Sequence, residues 1–187
     1  MINESKRIIL KDGRKGTLRT PEEKDAEGLV ECMRRSPCET EYLTMTPDEG
    51  ADLTVETGRS IISHYRDATN HAILICEVDG IVSGFCFCGV HPGNKTKHRA
   101  SVSVTILKDY WCLGIGTEMM QEMIRILSMN HEIIQVELEV MEHNAPAIAL
   151  YRKAGFEISG KLENAFRQSD GKLEGQYTMV RKLAMSP

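Results

Sequence analysis

The sequence predicts an α/β domain built on a mixed sheet, and three features predict it. A continuous apolar run, Ala72 to Cys76, returns on itself across Asp79-Gly80. Two segments with helical apolar spacing each follow directly on a β-branched or alternating strand, and two further extended segments flank Asp170-Gly171 at the end of the chain. Strands interleaved with helices call for a sheet covered by helices, and the two-residue turns add hairpins to it.

In chain order, Ile8 to Leu10 and Thr17 to Arg19 read as extended pieces around the turn at Asp12-Gly13. Thr20-Pro21-Glu22-Glu23 starts a helix in which Ala26, Leu29, Val30 and Met33 form one apolar stripe. Its predicted end is Ser36-Pro37, because proline biases the residue before it away from helical backbone. A second helix is predicted from Thr46-Pro47-Asp48-Glu49 toward His64, with Leu53, Ile61, Ile62 and Tyr65 turned inward. Ala72 to Cys76 and Ile81 to Val90 form a hairpin, His91 to Lys95 a polar loop, and Ser101 to Leu107 a third strand of this group.

Gly114-Ile115-Gly116 opens a helix whose Ile115, Met119, Met120, Met123, Ile124 and Leu127 share one face, ending near Asn130. The methionines there are core filler. Ile133 to Val140 sets Val136, Leu138 and Val140 against Gln135, Glu137 and Glu139, the period of a half-buried strand. Asn144 can cap the next helix, Pro146 fits its first turn and Gly155 ends it. Phe156 to Arg167 and Leu173 to Leu183 close the chain, giving the order ββαβββαβαββ or a near variant.

The 187 residues fit a single domain spanning 1–187. Its 23 Lys and Arg against 27 Asp and Glu leave a net charge of −4, which disfavours a nucleic-acid partner. Cys32, Cys38, Cys76, Cys86, Cys88 and Cys112 lie mostly in apolar segments, so they read as reduced thiols and not as a disulfide framework. Cys86-Phe87-Cys88 lacks a partner pair at zinc spacing, and no metal site is expected. Asn3, Glu4, Lys6 and Arg7 precede only a short apolar stretch, neither a signal peptide nor a membrane span, which makes the cytoplasm the expected location.

The chemistry concentrates at two places. After the strand Val102 to Leu107 comes Asp109 to Leu113 and then Gly114-Ile115-Gly116-Thr117 at a helix start. Glycines let backbone amides approach a ligand, and the first free amides of a helix carry partial positive charge, so this construction suits a pyrophosphate. The same glycines suit tight strand-to-helix packing, and the residues alone leave both readings open. A third fingerprint glycine and a P-loop Gly-Lys-Ser/Thr are missing, so NAD and ATP fit poorly. The second place is Asn144 to Phe156, one strand later.

Together these stretches resemble the GCN5-related N-acetyltransferases (GNAT), whose cofactor loop reads Arg/Gln-x-x-Gly-x-Gly/Ala. Their later helix reads Asn-x-x-Ala-x-x-Leu-Tyr-x-Lys-x-Gly-Phe, matched here at every specified position by Asn144 through Phe156. The resemblance extends over roughly Ala72 to Leu183. It implies the GNAT fold, a twisted, mixed and mostly antiparallel central sheet with about four helices, and an acetyl-CoA-dependent acyltransferase acting on an amine. It further implies that Val104, Thr105 and Ile106 line the pantetheine arm, and that the amides of Cys112, Leu113, Gly114, Ile115, Gly116 and Thr117 hold the pyrophosphate. Asn144 would contact the cofactor or its nearby backbone, and Tyr151 would protonate the departing thiolate.

The chain departs from the family pattern at three points. Trp111 stands where Arg or Gln is usual, Leu113 replaces a common basic residue, and Ala100 stands where many members carry a catalytic Glu. The general base is therefore open among His98, Glu137, Glu139 and a water chain. With no Ser-His-Asp or Cys-His arrangement, direct attack of the amine in a ternary complex is expected. Glu39 to Leu43 is where the resemblance places acceptor-lining residues, and its two acids, Glu39 and Glu41, would suit a cationic amine. A small molecule or a peptide could be the acceptor, and a homodimer is left open. The rival readings are a protein N-terminal or lysine acetyltransferase and an acyl-CoA-sensing module without turnover.

Overall fold

A computed structural model of the chain describes residues 5–68 and 70–183. Asn3 and Glu4, part of the N-terminal reading above, lie outside them. The sheet contains β1 (Lys6–Ile9), β2 (Lys15–Arg19), β3 (His71–Val78), β4 (Ile81–Val90), β5 (Arg99–Ile106), β6 (Gln135–Met141), β7 (Glu157–Arg167) and β8 (Leu173–Lys182). Their spatial order is β1-β2-β3-β4-β5-β6-β8-β7, and only β5 and β6 run parallel. The helices are α1 (Ala26–Glu39), α2 (Pro47–Ala51), α3 (Val55–Asp67), α4 (Ile115–Leu127) and α5 (Ala145–Lys153).

Each hairpin turns where sequence chemistry permits it: Asp79 and Gly80 both take positive φ, as the tight two-residue turn requires. Two expectations need correction. α1 does not stop at Ser36-Pro37 but runs on to Glu39 with Pro37 inside it. Proline removes the amide that would bond the Met33 carbonyl, and the Ser36 hydroxyl supplies a substitute to that carbonyl at 3.4 Å. The expected second helix is two helices, because Thr54 accepts the Thr57 amide and opens α3 afresh after α2 ends at Ala51. Arg34 closes the break by donating to the Leu53 carbonyl.

Register fixes which side chains share a face. Phe85 pairs with Thr105 and Phe87 with Ser103, while Cys86 pairs with Val104 and Gly84 with Ile106. α1 and α3 cover the β3–β4 part of the first of these faces, where Tyr65 stacks on Phe87, and leave Ser101 and Ser103 of β5 exposed. α4 and α5 cover the second: a Cβ on Gly116 of α4 would meet both Ile106 of β5 and Leu150 of α5. The core lies in both layers, with Leu29, Ile62, Ile73 and Ile75 on one side and Leu74, Met119, Met123 and Leu138 on the other.

Candidate active site

β5 and β6 are bonded only at Arg99–Gln135, Ala100–Val136 and Ser101–Glu137. Beyond those pairs β5 stays on β4 as far as Ile106, β6 stays on β8 as far as Met141, and the two part company. A slot therefore opens between Val104-Thr105-Ile106 and Leu138 to Met141, edged by backbone groups free of ladder partners across it. Such edges accept an extended ligand as a strand would. The carbonyl of Ile106 at its mouth already accepts the Trp111 indole N–H at 2.7 Å.

At that mouth the chain enters α4 through Cys112 and Gly114, with φ of 61° and 97°. None of the amides from Cys112 to Thr117 donates to another described group, and the first that does is Glu118, to the Gly114 carbonyl at 3.2 Å. Three of them, Ile115, Gly116 and Thr117, are the opening amides of α4, so the run adds the helix's partial positive charge to free donors. Lys11 anchors the loop by donating to the Leu113 carbonyl at 3.1 Å.

The two glycines differ in what a side chain would meet. A Cβ on Gly114 would point into open space, whereas one on Gly116 would lie 3.0 Å from Leu150 Cδ2 and 3.1 Å from Ile106 Cδ1. Gly116 thus packs its α-carbon against Leu150 and Ile106, while its amide has no partner among the described residues. Gly116→Val is expected to cost about 1–3 kcal/mol of stability through overpacking. Gly114→Val should cost roughly 1–2 kcal/mol through its left-handed backbone and weaken acetyl-CoA binding more than Gly116→Val. Thermal melts beside calorimetric titrations check this, and the reverse ranking in affinity would overturn the division.

Tyr151 of α5 is 6% exposed and meets Phe156 edge-on, with ring centroids 6.2 Å apart. Burial, and secondarily Cys86, pushes its phenol well above the ordinary range, so it keeps its proton. Since Cys86 is the β4 partner of Val104, the tyrosine lies on the α4–α5 side of the slot. Asn144 caps α5 by accepting the Ala147 amide at 3.2 Å, which commits its side-chain oxygen to the helix. Leu150 packs beside Gly116, as an inward residue of α5 should.

The opposite face of β5 and β6 carries exposed Ser101, Ser103 and Glu139. The candidate bases separate here. Arg99 grips Glu137 with bonds of 2.7–3.0 Å, and His91 Nε2 lies 2.6 Å from it. His98 stands before β5, where its carbonyl receives the amides of Ile134 and Gln135. Glu139 lies two residues beyond the parting point and has no ion-pair partner among the described residues. His91 escaped the sequence reading, because nothing in a polar loop signals a contact with a residue 46 positions on; Ser101 bonds the same nitrogen at 3.0 Å.

Burial alone would raise the Glu137 carboxyl, but Arg99, with His91 and Gln135 adding, holds it below its ordinary 4.5. A depressed folded-state value means stability that is present above pH 4.5 and lost as pH falls through the lower folded value. Arg99→Met is expected to cost about 1 kcal/mol near neutrality, discounted for its half-exposed guanidinium, and nothing once Glu137 is protonated. Urea unfolding across pH 3–7 checks it; an equal loss at both ends would mean packing alone.

The loop proposed for the acceptor is tied to its neighbours through both of its acids. Glu41 accepts the Ser169 hydroxyl at 3.1 Å, joining the α1–α2 loop to the β7–β8 hairpin. Glu39 accepts the backbone N–H of Lys108. All six cysteines are free; burial raises Cys32 to about 12 and Cys88 to about 11, whereas Cys38 and Cys112 are exposed.

A sequence model of the "Acetyltransferase (GNAT) family" matches residues 37–156. An N-alpha-acetyltransferase of Sulfurisphaera tokodaii is 34% identical over 120 residues, 60% of this chain and 70% of that protein. The L-amino acid N-acetyltransferase AaaT of Escherichia coli is 30% identical over 108 residues, 58% of this chain and 66% of that protein. Among solved structures, an acetyltransferase of the GNAT family from Streptococcus pneumoniae superposes with a TM-score of 0.85 at 26% identity, over 90% of this chain and 99% of that one.

Proposed function

Because this chain belongs to the acetyltransferase (GNAT) family, we propose that it transfers the acetyl group of acetyl-CoA directly to an amine in a ternary complex. The observation that carries the reading is the parting of β5 from β6 beside a run of six amides without partners among the described residues. The pyrophosphate would rest on Cys112 to Thr117 and the pantetheine arm would follow Val104 to Ile106. The thioester would then lie in the slot between the two sheet faces.

Each face supplies one proton step. Glu139, exposed on the open side, takes the proton of the attacking amine as the carbon–nitrogen bond forms. Tyr151, buried on the α5 side, gives its proton to the sulfur as the carbon–sulfur bond breaks. Strand amides near Val104 to Ile106 polarise the carbonyl oxygen. Glu139, Glu41 and the hydroxyls of Ser101 and Ser103 suit an amine that arrives as a cation. The names of the two relatives support an amine acceptor without choosing between a small molecule and a peptide, a protein N-terminus included. The cytoplasm belongs to the same proposal, supported by six free thiols.

Release of CoA thiol from acetyl-CoA, measured with a panel of amino acids, polyamines and peptides, tests the reading. Turnover with any acceptor supports it and identifies the class. Acetyl-CoA binding without turnover across the panel would point to a sensing module, and failure of acetyl-CoA to bind would overturn the cofactor-loop assignment itself.

A further inference from the structure

The end of α1 is bonded to the stretch that leads into the candidate cofactor loop. The Lys108 backbone N–H donates to Glu39 Oε2 at 2.6 Å, and the other carboxylate oxygen of Glu39 accepts from Arg35 at 2.9 Å. The same Arg35 nitrogen donates to Asp109 at 3.1 Å. Lys108 is the first residue of the single turn Lys108–Tyr110, which delivers Trp111 and then the amides of Cys112 to Thr117. In the other direction Glu39 is the last residue of α1, and the loop that follows carries Glu41 to its bond with Ser169 in the turn between β7 and β8.

One carboxylate thus has the backbone of the cofactor side in its grasp and the acceptor-side loop as its continuation. The bond from Lys108 is the stronger link, since a charged acceptor strengthens an amide hydrogen bond and the Glu39 side chain is only 18% exposed. The Arg35–Asp109 pair, 38% and 73% exposed, contributes little by comparison. Each Glu39 oxygen accepts a hydrogen bond, one from the Lys108 backbone and one from Arg35, so the carboxylate holds this junction from both sides.

We propose that Glu39 is a positioning residue that couples the two substrates: CoA seated on the amides fixes the Lys108 turn, and through Glu39 this fixes the loop of residues 40–45 that bounds the acceptor's place. The inference rests on the reading of Cys112 to Thr117 as the cofactor loop. Linkage makes it reciprocal, so a bound acceptor tightens CoA by the factor by which CoA tightens the acceptor.

Hydrogen exchange of the full chain with CoA alone as the probe tests it without reference to turnover. In the wild type, saturating CoA should slow exchange across residues 40–45 by about 5- to 100-fold, the usual span of coupling between sites. Glu39→Ala should still bind CoA by calorimetry and melt near the wild type, yet lose that response, while Glu39→Gln, whose side-chain oxygen can accept the same N–H, should keep much of it. Lys108→Pro removes the donor, together with a side chain that has no hydrogen-bond or ion-pair partner among the described residues, at a position proline tolerates, since it opens a turn and follows Leu107 at φ −60° and ψ 143°. It should reproduce Glu39→Ala, and the double variant should lose nothing further. A response that persists in Glu39→Ala or in Lys108→Pro, or a wild-type loop indifferent to bound CoA, would overturn the proposal. Failure of CoA to bind the wild type would instead overturn the cofactor-loop reading beneath it.

Discussion

Tyr151→Phe is expected to lower kcat by roughly 10²- to 10⁴-fold, the usual worth of a positioned proton donor, with acetyl-CoA affinity and thermal stability nearly unchanged. The substitution removes one oxygen, and that oxygen makes no hydrogen bond with another described residue, so the fold loses little when it goes. The ring keeps its contact with Phe156. Burial raises the phenol, so the protonated form persists at alkaline pH, and the wild-type rate should show no fall between pH 8 and 10 that is missing from Tyr151→Phe. Single-turnover rates with the best acceptor separate chemistry from release of product. Wild-type chemistry in Tyr151→Phe would move the proton to water or another donor, while a lower melting temperature with normal turnover would make the tyrosine structural.

Glu139→Gln should lower kcat/KM by about 10²- to 10⁴-fold near neutrality, because the acceptor amine arrives protonated and needs a base in place. The loss should shrink as pH rises toward the amine's own pKa, where the free amine needs no help. That pH dependence distinguishes a base from a group that merely binds the acceptor, whose removal would raise KM alike across the range. Glu137→Gln supplies the contrast. Its loss should appear as lower stability from the disrupted Arg99 and His91 contacts, with turnover largely retained. Equal effects of the two substitutions on activity would overturn the assignment of roles on β6.

The elements were largely legible because each rests on neighbours within a few residues. The Asp79-Gly80 and Asp170-Gly171 turns, the stripe of α4 and the Asn144 cap all follow from local periodicity and backbone preference, and the structure has all of them. Reading failed first where a local rule had a local remedy outside its terms: Ser36 replaces the hydrogen bond that Pro37 removes, so α1 continues. It failed again at Thr54, whose capping of α3 divides a stretch that apolar spacing had treated as one helix.

For the site, the sequence by itself determined the loop of amides, the helix that carries Tyr151 and, through its motif, the class of chemistry. Both motifs are short contiguous segments whose backbone geometry their own glycines and caps dictate. Only the tertiary structure decided that Gly114 borders open space while Gly116 packs against Leu150, and that Glu137 is held by Arg99 while Glu139 has no ion-pair partner among the described residues. It also showed Glu39 gripping a backbone amide 69 residues away. These outcomes turn on which strands remain paired and which faces meet, and a strand's alternation fixes which residues share a face without saying what covers it. The slot itself exists because β5 follows β4 and β6 follows β8 past Ser101 and Glu137, a divergence set by partners far along the chain and invisible within either strand.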